Sequence, residues 1–201
     1  MLPGWLVYPA ALLIVWGTVD YIRDIRRGQV QPSLVTWFLW SLAPLITLAA
    51  QLFSGDVGSE TALTAVVGLC PLLVFLAGLN HGAWKPKPFD WWCGALAIVA
   101  LVLWRLTSNS EVGVSLSIAA DALGAVPTLR KAYAHPESES ARFFALFAIS
   151  AFVTLLTIPH ATIVSAGFAS YIFALYAVLF TLVQFKVKEK LSILAKIRQR
   201  E

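Results

Sequence analysis

One acidic side chain stands alone in one of the most apolar stretches of the chain. Asp121 lies about ten residues into the run 112–130, between "SLSIAA" and "ALGAVP". An ionised carboxylate at the middle of a hydrocarbon layer costs roughly 2.5–3.5 kcal/mol on insertion scales, so it must face a bundle interior, a cavity or a partner, or carry a proton. On a helix Ser117, Asp121, Gly124 and Thr128 fall at i−4, i, i+3 and i+7 and share one face. A small, polar stripe around an acid is the chemistry of binding a polar solute or coupling its movement to a proton. The plainer alternative is a buried hydrogen bond that clamps two helices together.

A second polar face runs through Thr36, Trp40, Pro44, Thr47 and Gln51, which recur at three- and four-residue spacing with Trp37 beside them. Indole is a flat apolar platform with one N–H donor, suited to stacking on a sugar ring or a planar base. Ser150 and Thr154, with Phe144 and Phe147 on the same run, supply an opposite wall that Tyr171 or Tyr176 can complete. The substrate-binding candidates are therefore Asp121, Trp40, Trp37, Ser117, Ser150, Thr154 and Tyr171. The gating or coupling candidates are Asp20, Pro44, Pro127 and Thr128. Asp20 is within reach of Arg23 or Arg130, and prolines inside helices free backbone carbonyls and permit kinks.

Other chemistries find no residues to carry them. The chain has no H-E-x-x-H, no G-x-S-x-G and no phosphate-binding glycine loop, and His81, His135 and His160 stand at run ends in three different loops. No catalytic site, metal or cofactor is expected. The last apolar run holds no Lys at depth, which excludes a retinal Schiff base, and Cys70 and Cys93 read as unpaired packing residues.

The elements that must position these side chains are set by composition. With 59% hydrophobic and 13% charged residues over 201 positions and a mean hydropathy of +0.76, the chain cannot cover a soluble surface with polar groups. It reads as an all-α membrane protein. Seven apolar runs, near 5–22, 33–53, 61–80, 91–107, 112–130, 141–159 and 163–185, are each about long enough to cross hydrocarbon as a helix. No Lys or Arg precedes Arg23, so the first run lacks the basic lead of a signal peptide. Trp5, Trp84, Trp91 and Trp92, at run ends, read as interfacial anchors.

Fourteen of the fifteen Lys and Arg residues fall on one side of this seven-span arrangement, with only Arg105 opposed. The positive-inside rule then places the N-terminus outside and the C-terminus in the cytoplasm, in a plasma or inner membrane. The formal charge of +4 reflects topology and contact with anionic lipid, not nucleic acid.

An internal repeat organises the spans. "IRRGQVQP" at 25–32 and "LRKAYAHP" at 129–136 align at an offset of 104, which also carries spans one to three onto five to seven. Two parallel three-helix bundles are expected, 1–82 and 111–185, joined by a linker helix within 83–110 and followed by a basic tail, 186–201.

This 3+1+3 arrangement resembles the PQ-loop/SWEET superfamily, which includes sugar transporters, cystinosin-type lysosomal amino-acid exporters, PnuC vitamin transporters and, more distantly, the KDEL receptors. The proline-glutamine turn of that superfamily is matched by Pro127-Thr128 in the second repeat, with Thr128 in place of glutamine, whereas Arg23-Asp24 stands at the equivalent place in the first. Its hinge proline is matched by Pro44, with Ala148 at the mate position, and Trp37-x-x-Trp40 is similar to the tryptophans of the PnuC type. The resemblance implies alternating-access transport of a small polar solute: a sugar, an amino acid, a vitamin or a nucleoside. Asp121 would be the proton-coupling group, and assembly into homo-oligomers is left open. The alternative of another class is a receptor-like or scaffolding protein that binds a peptide or partner without moving it.

Overall fold

The computed structural model describes residues 3–54, 59–106, 109–158 and 160–191. Within these residues the chain is helical, with no strand beyond one isolated bridge between Ser33 and Trp84. The helices are α1 (Val7–Arg26), α2 (Leu34–Ser54), α3 (Ser59–His81), α4 (Pro88–Leu106), α5 (Ser110–Ala134), α6 (Ala141–Thr157) and α7 (Ile163–Gln184). Each covers one of the apolar runs. Local chemistry fixes several of their ends. Pro88 opens α4, where its missing N–H costs no bond. The Asn109 side chain accepts from the backbone N–H groups of Glu111 and Val112 at the start of α5. Thr162 and Ser165 form a reciprocal capping box at the start of α7.

Among the described residues, four stretches are long and apolar enough to cross a membrane: Gly4–Arg26, Pro88–Leu106, Glu111–Ala134 and Ser165–Gln184. Ala65–His81 and Ala141–Thr157 are shorter apolar helices. The outward face of α4 exposes Trp91, Trp92, Leu96, Val99 and Leu103. A surface this apolar is compatible with a lipid environment.

Packing follows a pattern. Helices α1 and α2 both lie on α3, and α5 and α6 both lie on α7; the two groups meet where α1 packs on α6 and where α5 packs on α2, with α4 against α5 and α2. Tyr21 of α1 rests on Phe143 of α6, with ring centroids 4.8 Å apart. Gly124 of α5 comes so close to Leu39 of α2 that a Cβ there would lie 3.2 Å from the leucine.

The turns after α1, α3 and α5 and the chain after α7 gather at one end. Trp84 N donates to Pro32 O at 3.0 Å, and Gln31 N donates to Ser138 O at 3.0 Å. The Arg130 guanidinium lies 4.4 Å over the Phe89 ring, and Lys188 Nζ reaches Ala134 O at 3.5 Å. Successive helices therefore alternate in direction, and α1 and α5 run the same way. This is the basic end, since Arg23, Arg26, Arg27, Lys85, Lys87, Arg130, Lys131, Arg142, Lys186, Lys188 and Lys190 stand around it. Lys196, Arg198 and Arg200 lie outside the described residues.

Two sequence expectations differ here. Trp84 is not a free interfacial anchor like the exposed Trp5, Trp91 and Trp92; it is half-buried in the seam of turns, with Lys131 Nζ 5.8 Å from its ring centroid and the His135 ring at 5.1 Å. The aligned segments 25–32 and 129–136 also differ in backbone. Gly28, at φ +70°, ends α1 in the left-handed region, whereas Ala132 at the matching position is interior to α5, which runs on to Ala134. Only glycine takes that conformation without a Cβ clash, so one half ends its helix where the other continues it.

Candidate functional site

A cavity of about 510 Å3 lies between the helices, in the half of the bundle away from the basic end. All seven helices contribute to its wall, which is mostly apolar and aromatic. Its polar side chains are few: Asp121 and Ser117 from α5, Ser150 and Thr154 from α6, the indoles of Trp40 from α2 and Trp104 from α4, and the phenol of Tyr176 from α7. Pro44, one turn along from Trp40, also lines it.

Asp121 is fixed from behind. Tyr171 Oη of α7 donates to Asp121 Oδ2 at 2.8 Å, tying α7 to α5. Asp121 makes no ion pair among the described residues. Beside it Trp40, 6% exposed, keeps its Nε1 buried without a direct hydrogen bond. Tyr176 completes this corner, its ring centroid 5.6 Å from that of Trp40 and 4.8 Å from that of Phe147, onto which it stacks. Ser117 Oγ donates to Val114 O and Thr154 Oγ1 to Ser150 O, each within its own helix. With their protons so used, both hydroxyl oxygens can present lone pairs to the cavity.

Between the cavity and the basic end the bundle is closed by two layers. The first is aromatic: Trp37, 1% exposed, sits with its ring centroid 5.1 Å from Tyr21 and 5.3 Å from Phe143 and Trp40. The second is polar. Thr128 Oγ1 of α5 donates to Thr36 Oγ1 of α2 at 3.0 Å, and Thr36 donates on to Ser33 Oγ at 3.2 Å. Glu139, from the α5–α6 turn, accepts from Tyr21 Oη at 2.6 Å and pairs with Lys131 Nζ at 2.6 Å. Lys131 also donates to the Gln31 carbonyl, so one ammonium joins both turns. At the rim Arg142 pairs with Asp20 at 3.1 Å.

The candidates read from sequence are thus distributed over two levels. Asp121, Trp40, Ser117, Ser150, Thr154 and Pro44 meet at the cavity, and Tyr171 stands behind Asp121. Trp37 is outside the cavity lining, in the aromatic layer. Thr128 lies in the polar layer, with Pro127 next to it inside a continuous α5. Asp20 pairs with Arg142 of α6, not with Arg23 or Arg130. The side chains of Thr47 and Gln51 lie outside the described residues. Sequence reasoning missed Tyr21, Lys131 and Glu139 as a unit. Lys131 and Glu139 stand on opposite sides of a turn, where no helical spacing relates them.

Among the described residues no three His, Cys, Asp or Glu side chains gather as metal ligands; Cys70 and Cys93 are buried and unpaired. No protein-family model, curated protein or solved structure matches the chain.

Proposed function

We propose that the chain is a seven-span membrane transporter that moves a small polar solute by alternating access. The cavity is its solute site, and the basic end is its closed cytoplasmic gate. The observation that carries this reading is the placement of Asp121. A carboxylate without a cationic partner faces a cavity at mid-bundle, and the path from that cavity to the basic end is filled by the Trp37 layer and the Lys131–Glu139 pair. An intramembrane acid so placed is a solute or proton group by default.

Further support comes from the two halves. The offset of 104 carries Leu39 onto Phe143 and Asp20 onto Gly124. Tyr21, which rests on Phe143, aligns with Ala125, next to the Gly124 that meets Leu39, so the α1–α6 and α5–α2 contacts share one aligned position and lie a residue apart at the other. Parallel duplicated bundles that rock about a shared central site, with α4 restoring direction, fit this arrangement. Asp121, present in one half only, is the group through which a proton would couple. The basic turns place the N-terminus outside.

The test is uptake into proteoliposomes of a labelled panel of sugars, amino acids, vitamins and organic cations at two external pH values, with Ser117→Trp as a variant that fills the cavity. Protein-dependent uptake that Ser117→Trp abolishes supports the reading. Folded protein that binds a solute yet moves none at either pH overturns it in favour of a receptor.

A further inference from the structure

Resting on the reading of the cavity as a solute site, we propose that its occupant is a monovalent organic cation that carries a hydrogen-bond acceptor. Three features converge. Charge comes first: Asp121 is the one acid among the described lining residues, and no Lys, Arg or His lines the cavity with it. Lys131, on the same helix, is ten residues away, about 15 Å along the axis, and is already held by Glu139 and Gln31. The protein supplies the carboxylate with a neutral donor, Tyr171, and leaves the counter-charge to be brought in. An anionic solute would meet Asp121 with no cation to offset the repulsion.

The second feature is the aromatic wall. Trp40, Trp104, Phe147, Phe168 and Tyr176 line the cavity along with the acid. The negative faces of such rings attract an ammonium that has shed its water, and a methylated ammonium sheds water most easily. The Ser117 and Thr154 oxygens, whose protons are spent on their own helices, add acceptors. A cavity of this size holds an alkylammonium with a short polar arm.

The third feature is the indole of Trp40. Its Nε1 is buried without a well-formed hydrogen bond although it lies near enough to the Asp121 carboxylate to interact with it, so an occupant drawn to Asp121 also meets this N–H. An oxygen on the occupant, placed next to its cationic head, satisfies that N–H while the head faces Asp121. A small molecule with an acceptor beside its positive charge answers both groups at once.

A matched trio of probes tests this: choline, its neutral carbon isostere 3,3-dimethylbutan-1-ol, and the anion 3,3-dimethylbutanoate, titrated calorimetrically into the full chain in nanodiscs. Choline should bind at least about tenfold more tightly than the neutral isostere, and the anion should not bind. Asp121→Asn should reduce choline affinity by at least about tenfold while leaving the isostere unchanged, and Asp121→Glu should retain part of the preference. Where Asp121→Asn fails to fold, Trp40→Phe in its place should weaken both hydroxyl-bearing probes alike and preserve the preference for the cation. Equal binding of cation and isostere, or binding of the anion, overturns the cation inference and leaves the solute site standing. Binding of none of the three overturns the cation inference, and the solute site then stands or falls on the uptake panel alone.

Discussion

Lys131 Nζ and Glu139 Oε1 lie 2.6 Å apart with both side chains almost wholly out of solvent, 1% and 0% exposed. Glu139 also takes the Tyr21 proton, so the pair joins α1, α5 and the α5–α6 turn at the basic end. Removing one partner leaves a buried charge uncompensated. Lys131→Met or Glu139→Gln should each cost about 3–5 kcal/mol, whereas Lys131→Met with Glu139→Leu should recover much of the loss. Chemical unfolding in detergent reads both. Additive losses in the double variant would mean that the two charges do not act as a pair.

Tyr171 Oη is the direct donor to Asp121 among the hydrogen bonds of this corner. Tyr171→Phe should lower stability by about 1.5–3 kcal/mol, the range for a hydrogen bond to a charged group. Adding Asp121→Asn should restore part of it, because a neutral amide tolerates the lost donor better than a carboxylate. Melting curves of the single and double variants decide the point. A Tyr171→Phe variant as stable as the parent would show that Asp121 does not depend on this donor.

Gly28 and Ala132 occupy matching positions with opposite backbone demands. Gly28→Ala places a Cβ in the left-handed region and should cost about 1–2 kcal/mol. Ala132→Gly loosens the interior of α5 and should cost about 1 kcal/mol. Stability measurements on both variants check that the two aligned turns differ in backbone. A neutral Gly28→Ala would contradict the left-handed end of α1.

Much of this architecture was legible in the sequence because long apolar runs leave the backbone few choices. An apolar run must be helical, and its length sets its ends, so the seven runs foretold α1 to α7 to within a few residues. Helical spacing likewise put Ser117 and Asp121 on one face, and both reach the cavity. The spacing argument reached its limit where contacts cross between helices. Trp37 and Trp40 lie three apart and share a face, yet Trp37 packs among Tyr21 and Phe143 while Trp40 reaches the cavity. The Lys131–Glu139 pair depends on how a turn folds back, which charge counting registers only as one cation among fourteen.

The central claim is that the basic end must open for solute to pass. Thr36 and Thr128 meet across α2 and α5 with their hydroxyl oxygens 3.0 Å apart, inside the closed layer and below the cavity. Cysteines at both positions, in a background with Cys70 and Cys93 replaced by alanine, are close enough to be bridged. The decisive measurement is uptake by Thr36→Cys/Thr128→Cys proteoliposomes of the solute that the panel identifies, first oxidised and then reduced. Alternating access predicts that the bridge stops uptake without stopping binding, and that reduction restores it. Undiminished uptake through a bridged basic end would contradict the account.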